Sequence, residues 1–130
     1  MYKRQIDSLL SQTYPNFEIF VVDDGSTDET PQVLESYGSR VNVIRQLNQG
    51  PEVARNNAAS SCNGEYLVMF DHDDLLLPNA LEVYDQVIRA FASPPLLFGS
   101  MGEFKDGQPL PVKGLKSDPV EVLKLSLIHI

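Results

Sequence analysis

Short apolar segments alternate with segments of helical periodicity along most of this chain, and this alternation restricts its fold more than any other feature. The apolar segments, at residues 17–22, 41–44 and 66–70, are predicted strands. Helices are predicted to begin near residues 6, 28, 51 and 78, where apolar residues recur at spacings of three and four. Buried strands that alternate with helices pair in parallel through right-handed crossovers. The pattern therefore predicts an α/β fold with a doubly wound, mostly parallel sheet.

Turn and cap residues set the ends of the predicted helices. The first should end at Tyr14-Pro15-Asn16, and Thr27 or Asp28 should cap the second, which Gly38 ends. The third should run from Pro51 to Asn63-Gly64 and the fourth from Pro78 to Pro94-Pro95. Beyond them we predict a strand over 96–104, a hairpin turn at 105–108 and a short helix over 118–125.

Length and charge narrow the classes of partner. The 130 residues, 42% of them hydrophobic, suit one globular domain. The net charge of -8, without a cluster of Lys or Arg, argues against binding to nucleic acid. The single cysteine, Cys62, excludes an internal disulfide and fits a reducing compartment. No apolar run approaches the roughly twenty residues of a membrane span.

The segment Tyr66–Asp74 brings three carboxylates to the end of a predicted strand. Side chains two apart on extended backbone point the same way, so Asp71 and Asp73 can converge while His72 faces elsewhere. Close carboxylates repel unless a cation neutralises them, and hard cations such as Mg2+ or Mn2+ prefer oxygen ligands. The sequence therefore predicts a metal site. The alternative is that Asp73 or Asp74 caps the helix near Pro78, and we expect Asp74 to act partly as a cap.

A second acidic loop, Asp23–Asp28, follows the first predicted strand. Ligands of doubly wound sheets bind beyond the carboxyl ends of the strands. Because both acidic loops follow strands, both should lie on the same edge of the sheet. Together they favour a site for a nucleotide and a metal.

The order of these pieces resembles the family 2 glycosyltransferases of the GT-A fold over roughly residues 6–104. The resemblance rests on Ser8–Ile19, Val21–Asp28, Asn48-Gln49-Gly50, Ala54-Arg55-Asn56, Gly64-Glu65-Tyr66, Asp71–Asp74 and Pro78. Each piece is weak alone, but their common order is specific. It implies a Rossmann-like fold for nucleotide-diphospho-sugar transferases.

The resemblance also implies roles for individual residues. Asp23 and Asp24 match the acidic pair with which the family binds the base of a nucleotide-sugar, usually uracil. Arg55 matches an arginine near the donor's nucleotide or diphosphate. Asp71 and Asp73 match the DxD-type motif, where they hold Mg2+ or Mn2+ against the diphosphate and Asp71 also contacts the donor. The alternatives are an Asx turn plus a helix cap for the acidic pair and an ordinary surface arginine for Arg55.

For the reaction, the resemblance implies transfer of a sugar to an acceptor hydroxyl with inversion, assisted by the metal. The general base is a carboxylate farther along the family's chain, so we name no catalytic residue, and neither His72 nor His129 is assigned that role. The acceptor would be a saccharide, a lipid or a protein. A cytoplasmic location, or the cytoplasmic face of the membrane for the full-length protein, follows by analogy with bacterial polysaccharide synthesis.

The sequence departs from the family at both ends. The apolar strand that normally comes first, in the middle of the sheet, is missing, which should leave a gap beside residues 17–22 or force them to pair with 66–70. We therefore expect a single partial GT-A domain over 1–130, with its nucleotide-sugar-binding part at 6–93 and the start of an acceptor-side region at 94–124. Residues 1–5 and 125–130 fit no family pattern and are expected to be non-native.

Two other functions fit part of the sequence. Asp71 and Asp73 after an apolar strand also suit a Mg2+-dependent phosphatase of the haloacid-dehalogenase type, in which an aspartate is the nucleophile. That enzyme needs a later lysine, which Lys105, Lys113 or Lys116 could supply, and a later acidic pair, which the sequence lacks. A nucleotide-binding module without catalytic activity is the third alternative.

Overall fold

The computed structural model describes residues 2–70 and 74–92, together with the backbone of three short strands beyond them. Its helices are α1 (Lys3–Leu10), α2 (Thr30–Glu35), α3 (Pro51–Ser61) and α4 (Ala80–Ala90), with a 3-10 turn at Gly38–Arg40. Its strands are β1 (Phe20–Asp24), β2 (Asn42–Gln46), β3 (Phe104–Lys105), β4 (Gln108–Pro109) and β5 (Ile128–His129). The four predicted helices of this part of the chain are therefore confirmed.

The main sheet has the order β2-β1-β5 and is parallel. β1 pairs with β2 from Phe20 opposite Asn42 to Asp24 opposite Gln46. On its other side, Val21 and Val22 pair with Ile128 and His129. The predicted parallel pairing is confirmed, and β5 lies where we expected either a gap or the segment 66–70.

Helices cover both faces of β1, as a doubly wound sheet requires. Val21 belongs to one buried cluster with Ile6, Leu9, Ile19, Leu34, Tyr37, Val41 and Phe70. Val22 belongs to the opposite cluster, with Ala54 and Ala58 of α3. Consecutive side chains of a strand point to opposite faces, so β1 supplies both cores. Burying each such valine stabilises the fold by about 1.5–3 kcal/mol.

The predicted strand at 66–70 is wrong as an element, because only Met69 forms a bridge. β5 pairs with Val21 and Val22 on the side of β1 away from β2, so the backbone groups of β1 on that side are already hydrogen-bonded. The segment still has the burial pattern of a strand, since Phe70 packs in the first cluster and Met69 against the second. The first strand was also predicted too early: β1 begins at Phe20, where pairing with β2 begins.

The prediction that Asp74 caps the fourth helix is wrong. The N-cap position of α4 is Asn79, and a turn from Leu77 O to Ala80 N leads into the helix, so Asp74 lies too far upstream. The backbone N–H of Leu81 instead donates to Oε1 of Gln12 at 3.1 Å. A side chain that follows α1 thus caps α4.

Phe104 and Lys105 pair antiparallel with Pro109 and Gln108, as the hairpin predicted at 105–108 requires. The turn residues Asp106 and Gly107 lie outside the described residues. The predicted helix at 118–125 and the predicted strand at 96–104, apart from Phe104, lie outside the described residues. Among the helices that the structure describes, none is long and apolar enough to cross a membrane.

Candidate functional site

The carboxyl ends of β1 and β2 lie side by side and form the edge at which the site was predicted. Asp24 and Gln46, the last residues of these strands, are register partners. Gly25 follows with φ +85°, and a Cβ at this glycine would lie 2.8 Å from the backbone nitrogen of Asn48. Only glycine allows this approach without strain. The loop after β1 is therefore packed directly against the loop after β2.

Asp23 is a buried acid that takes part in a local turn. Its Oδ1 accepts a hydrogen bond from Ser26 N at 2.8 Å. The resulting turn is related to the predicted Asx turn, but its hydrogen bond spans three residues and not two. Its Oδ2 lies 3.4 Å from Nε of Arg45 and accepts no hydrogen bond from the described residues. Asp23 is 1% exposed, while the side chain of Arg45 is 60% exposed. The arginine thus offsets a buried negative charge from the solvent side.

Asp24 joins both strands to α3. Its Oδ1 accepts hydrogen bonds from Gln46 Nε2 at 2.8 Å and Gln49 N at 2.9 Å, and its Oδ2 accepts one from Gly50 N at 2.9 Å. Gly50 is the N-cap residue of α3 and has φ +89°. A carboxylate is favoured there because the backbone N–H groups at a helix start carry a partial positive charge. Asp24 therefore acts as the predicted helix cap, and the helix that it caps is α3.

Gln46 extends this arrangement toward solvent. Its Oε1 accepts a hydrogen bond from Nδ2 of Asn57 at 2.7 Å, on the second turn of α3. The sequence analysis identified none of Arg45, Gln46 and Asn57. The only available signal was the strand register, which places Arg45 and Gln46 beside Asp23 and Asp24 once β1 and β2 are aligned.

Asp28 closes the same loop by capping α2. Its Oδ1 accepts a hydrogen bond at 2.9 Å from the N–H of Thr30, the first residue of α2. Asp28 thus bonds the start of the helix as predicted, although Glu29 holds the N-cap position. Hydrogen bonds from the Thr30 side chain and backbone hold the pKa of Asp28 below its ordinary value of 3.8. The loop is therefore held at both ends by its own aspartates.

The remaining predicted site residues are placed only in part. Arg55 lies partly buried on α3, in the turn after Pro51. Asp71, His72 and Asp73 lie outside the described residues, so the metal site stays a prediction. Within the described part of the chain, no three His, Cys, Asp or Glu side chains are grouped for metal binding.

Cys62 is a packing residue. Its Sγ lies 3.2 Å from the carbonyl of Ala58, and burial raises the pKa of the thiol. A cavity of about 550 Å³ lies nearby, on the side of the sheet where β1 begins, between α4 and segment 64–70. None of Asp23, Asp24 and Arg55 lines this cavity. It is therefore separate from the sheet edge that carries Asp23 and Asp24, which we call the acidic edge.

The chain is similar in sequence to known glycosyltransferases. Residues 3–94 match the model of the family described as Glycosyl transferase family 2. An uncharacterized glycosyltransferase of Rickettsia felis is 34% identical over 98% of the chain, which covers 22% of that relative. Glycosyltransferase GlyG of Streptococcus pneumoniae is 39% identical over 63% of the chain and 29% of its own length, and a chondroitin synthase of Escherichia coli is 40% identical over 62% of the chain and 12% of its own length.

The chain thus spans between about a fifth and a quarter of the first relatives it matches, 22% of one and 26% of another. The family match covers α1 to α4 and includes both acidic loops. This chain belongs to glycosyl transferase family 2.

Proposed function

We propose that this chain forms the donor-binding part of an enzyme that transfers a sugar from a UDP-sugar to an acceptor hydroxyl, with inversion. The observation that carries the proposal is the acidic pair Asp23-Asp24, fixed where β1 ends and next to the start of α3. Family membership favours this activity over the phosphatase alternative. The acceptor is a saccharide, a lipid or a protein, and the enzyme acts in the cytoplasm or at the cytoplasmic face of a membrane.

The acidic pair would hold the base of the donor. Asp24 is 8% exposed and Asp23 1%, and Oδ2 of Asp23 accepts no hydrogen bond from the described residues. A carboxylate there can accept the imide N–H of uracil. Arg55 on α3 would bind the nucleotide or diphosphate, for which a planar guanidinium is suited.

Asp71 and Asp73 would hold Mg2+ or Mn2+, with Asp71 also against the donor. Carboxylate oxygens are the ligands that such hard cations prefer, and this chemistry of the donor set is the support for the assignment. A bound divalent cation would supply Lewis acidity to the departing nucleoside diphosphate. The general base that deprotonates the acceptor would come from a part of the protein farther along the chain.

Calorimetry of this chain with UDP, with and without Mn2+, tests the proposal. We expect UDP binding that Mn2+ strengthens, and we expect Asp73→Ala to remove the Mn2+-dependent gain. An unchanged gain in Asp73→Ala would contradict the metal assignment. Metal-dependent phosphatase turnover would favour the haloacid-dehalogenase alternative, and metal-independent UDP binding a module without catalytic activity.

A further inference from the structure

Two hydrogen bonds in series connect an exposed residue of α3 to Asp24. Asn57 Nδ2 donates to Gln46 Oε1 at 2.7 Å, and Gln46 Nε2 donates to Asp24 Oδ1 at 2.8 Å. An amide has one acceptor atom and one donor atom at its end, so the two bonds depend on each other. While Asn57 donates to the oxygen of Gln46, the nitrogen of Gln46 must face Asp24.

Among the described residues, Gln46 is the only hydrogen-bond partner of the Asn57 side chain. The residue is exposed on α3, where alanine is the better helix former. Its side-chain bond to Gln46 is the reason that the structure offers for an amide at this position. Gln46 in turn is half-buried as the last residue of β2, directly opposite Asp24.

We propose that Asn57 is a positioning residue for donor binding, which acts through the Gln46 amide on the carboxylate of Asp24. This inference rests on the proposed function, because it assumes that the acidic pair binds the nucleotide. Without Asn57, the Gln46 amide loses one of the two hydrogen bonds that fix it, so its side chain gains rotamer freedom and its bond to Asp24 weakens. Gln46 then positions the carboxylate of Asp24 less firmly, while the backbone N–H groups of Gln49 and Gly50 still donate to it.

The test measures UDP affinity and the free energy of unfolding of the same variants of this chain. Asn57→Ala should weaken UDP binding about three- to ten-fold, the range expected for one hydrogen bond. The free energy of unfolding should stay the same or rise, since alanine favours the helix. In a Gln46→Met background, Asn57→Ala should have no further effect on affinity, because its partner is gone. Ser60→Ala, an exposed change on the same helix, is the matched control and should leave affinity unchanged.

Amide NMR signals provide a measurement that does not need nucleotide. The N–H groups of Gln49 and Gly50 both donate to Asp24, so their signals should shift in Asn57→Ala and stay in place in Ser60→Ala. Unshifted signals would overturn the inference, as would equal losses of affinity in the wild-type and Gln46→Met backgrounds. Shifted signals in a chain that binds no UDP would contradict the proposed function and, with it, a role for Asn57 in donor binding. Intact UDP binding with an unaffected Asn57→Ala variant would overturn the inference alone.

Discussion

Two of the three described glycines with positive φ, Gly25 and Gly38, have different surroundings, and they separate two physical costs. Gly25 has φ +85° and packs against Asn48, whereas Gly38 has φ +58° and no atom within 4 Å of the position of a Cβ. Gly38→Ala should cost about 1 kcal/mol of unfolding free energy, for the left-handed conformation alone. Gly25→Ala should cost more, about 2–4 kcal/mol, because the Asn48 backbone must also move. Urea unfolding of both variants measures the difference, and equal losses would contradict the close approach.

Asp28 gives the loop a pH dependence with a defined sign. The pKa of Asp28 is lowered in the folded chain by its hydrogen bonds to Thr30. A group with a lowered pKa stabilises the fold above its unfolded pKa, near 3.8, and this contribution is lost as the pH falls through the folded value. We therefore expect Asp28→Asn to be less stable than wild type at pH 7. The two curves of unfolding free energy should converge as the pH is lowered below 3.8, and a constant difference would contradict the assignment.

A polar connection between α1 and α4 was not foreseen from the sequence. Besides capping Leu81, Gln12 donates from Nε2 to Leu77 O at 2.7 Å. The neighbouring Thr13 donates its N–H to Pro78 O at 2.9 Å and its hydroxyl to Glu82 at 3.0 Å. Periodicity identifies each helix but carries no information about a side chain more than sixty positions away that completes its first turn.

The connection predicts a loss of stability in Gln12→Ala. This change removes the partner of the Leu81 N–H and one of the two donors to the Leu77 carbonyl, which keeps its bond from Ala80 N. The loss should cost about 1–3 kcal/mol. Ser11→Ala is the matched control, because the Ser11 hydroxyl is exposed and, among the described residues, bonds locally to Ser8 O of α1. Hydrogen exchange should show faster exchange at the start of α4 in Gln12→Ala and little change in Ser11→Ala. Equal protection of α4 in both variants would contradict a capping role for Gln12.

Strand prediction succeeded at β1 and β2 but failed at residues 66–70, where strand pairing decides. The apolar segments near β1 and β2 were found, because both runs are bounded by turn residues. Residues 66–70 have the same apolar character but form only the bridge at Met69, since the ladder beside β1 is taken by β5. Apolar alternation predicts which face a residue occupies, and Met69 and Phe70 obey it. Apolar alternation does not predict which strand a segment will pair with.

The acidic edge was predictable in place but not in detail. That Asp23 and Asp24 lie at the carboxyl end of a parallel strand follows from the order of elements. The different hydrogen bonds of the two carboxylates do not follow from that order. The turn to Ser26 and the bonds to Gln49 and Gly50 depend on how the loop after β2 packs against the loop after β1. Gln46 and Asn57 likewise gain their roles only from the register of β2 and the placement of α3.

Helix α3 contacts both the hydrophobic core and the acidic edge. Ala54 and Ala58 are fully buried against Val22, so only small side chains let α3 lie this close to β1. The start of the same helix is bonded through Gly50 to Asp24. A rigid helix that is pushed away from the sheet at Ala58 must therefore also strain the bonds at its N-terminus.

Ala58→Leu tests this connection, because the larger side chain overpacks the core. The expected cost is about 1–3 kcal/mol of unfolding free energy, together with weaker UDP binding and shifted amide signals of Gln49 and Gly50. Ser60→Leu adds a side chain of the same size on the exposed face of α3 and should change none of the three. Val21→Ala is a second control, since it removes volume from the opposite core and should lower stability by about 1–3 kcal/mol without moving the two amide signals. If Val21→Ala and Ala58→Leu shift those signals equally, the edge responds to stability in general and not to the position of α3.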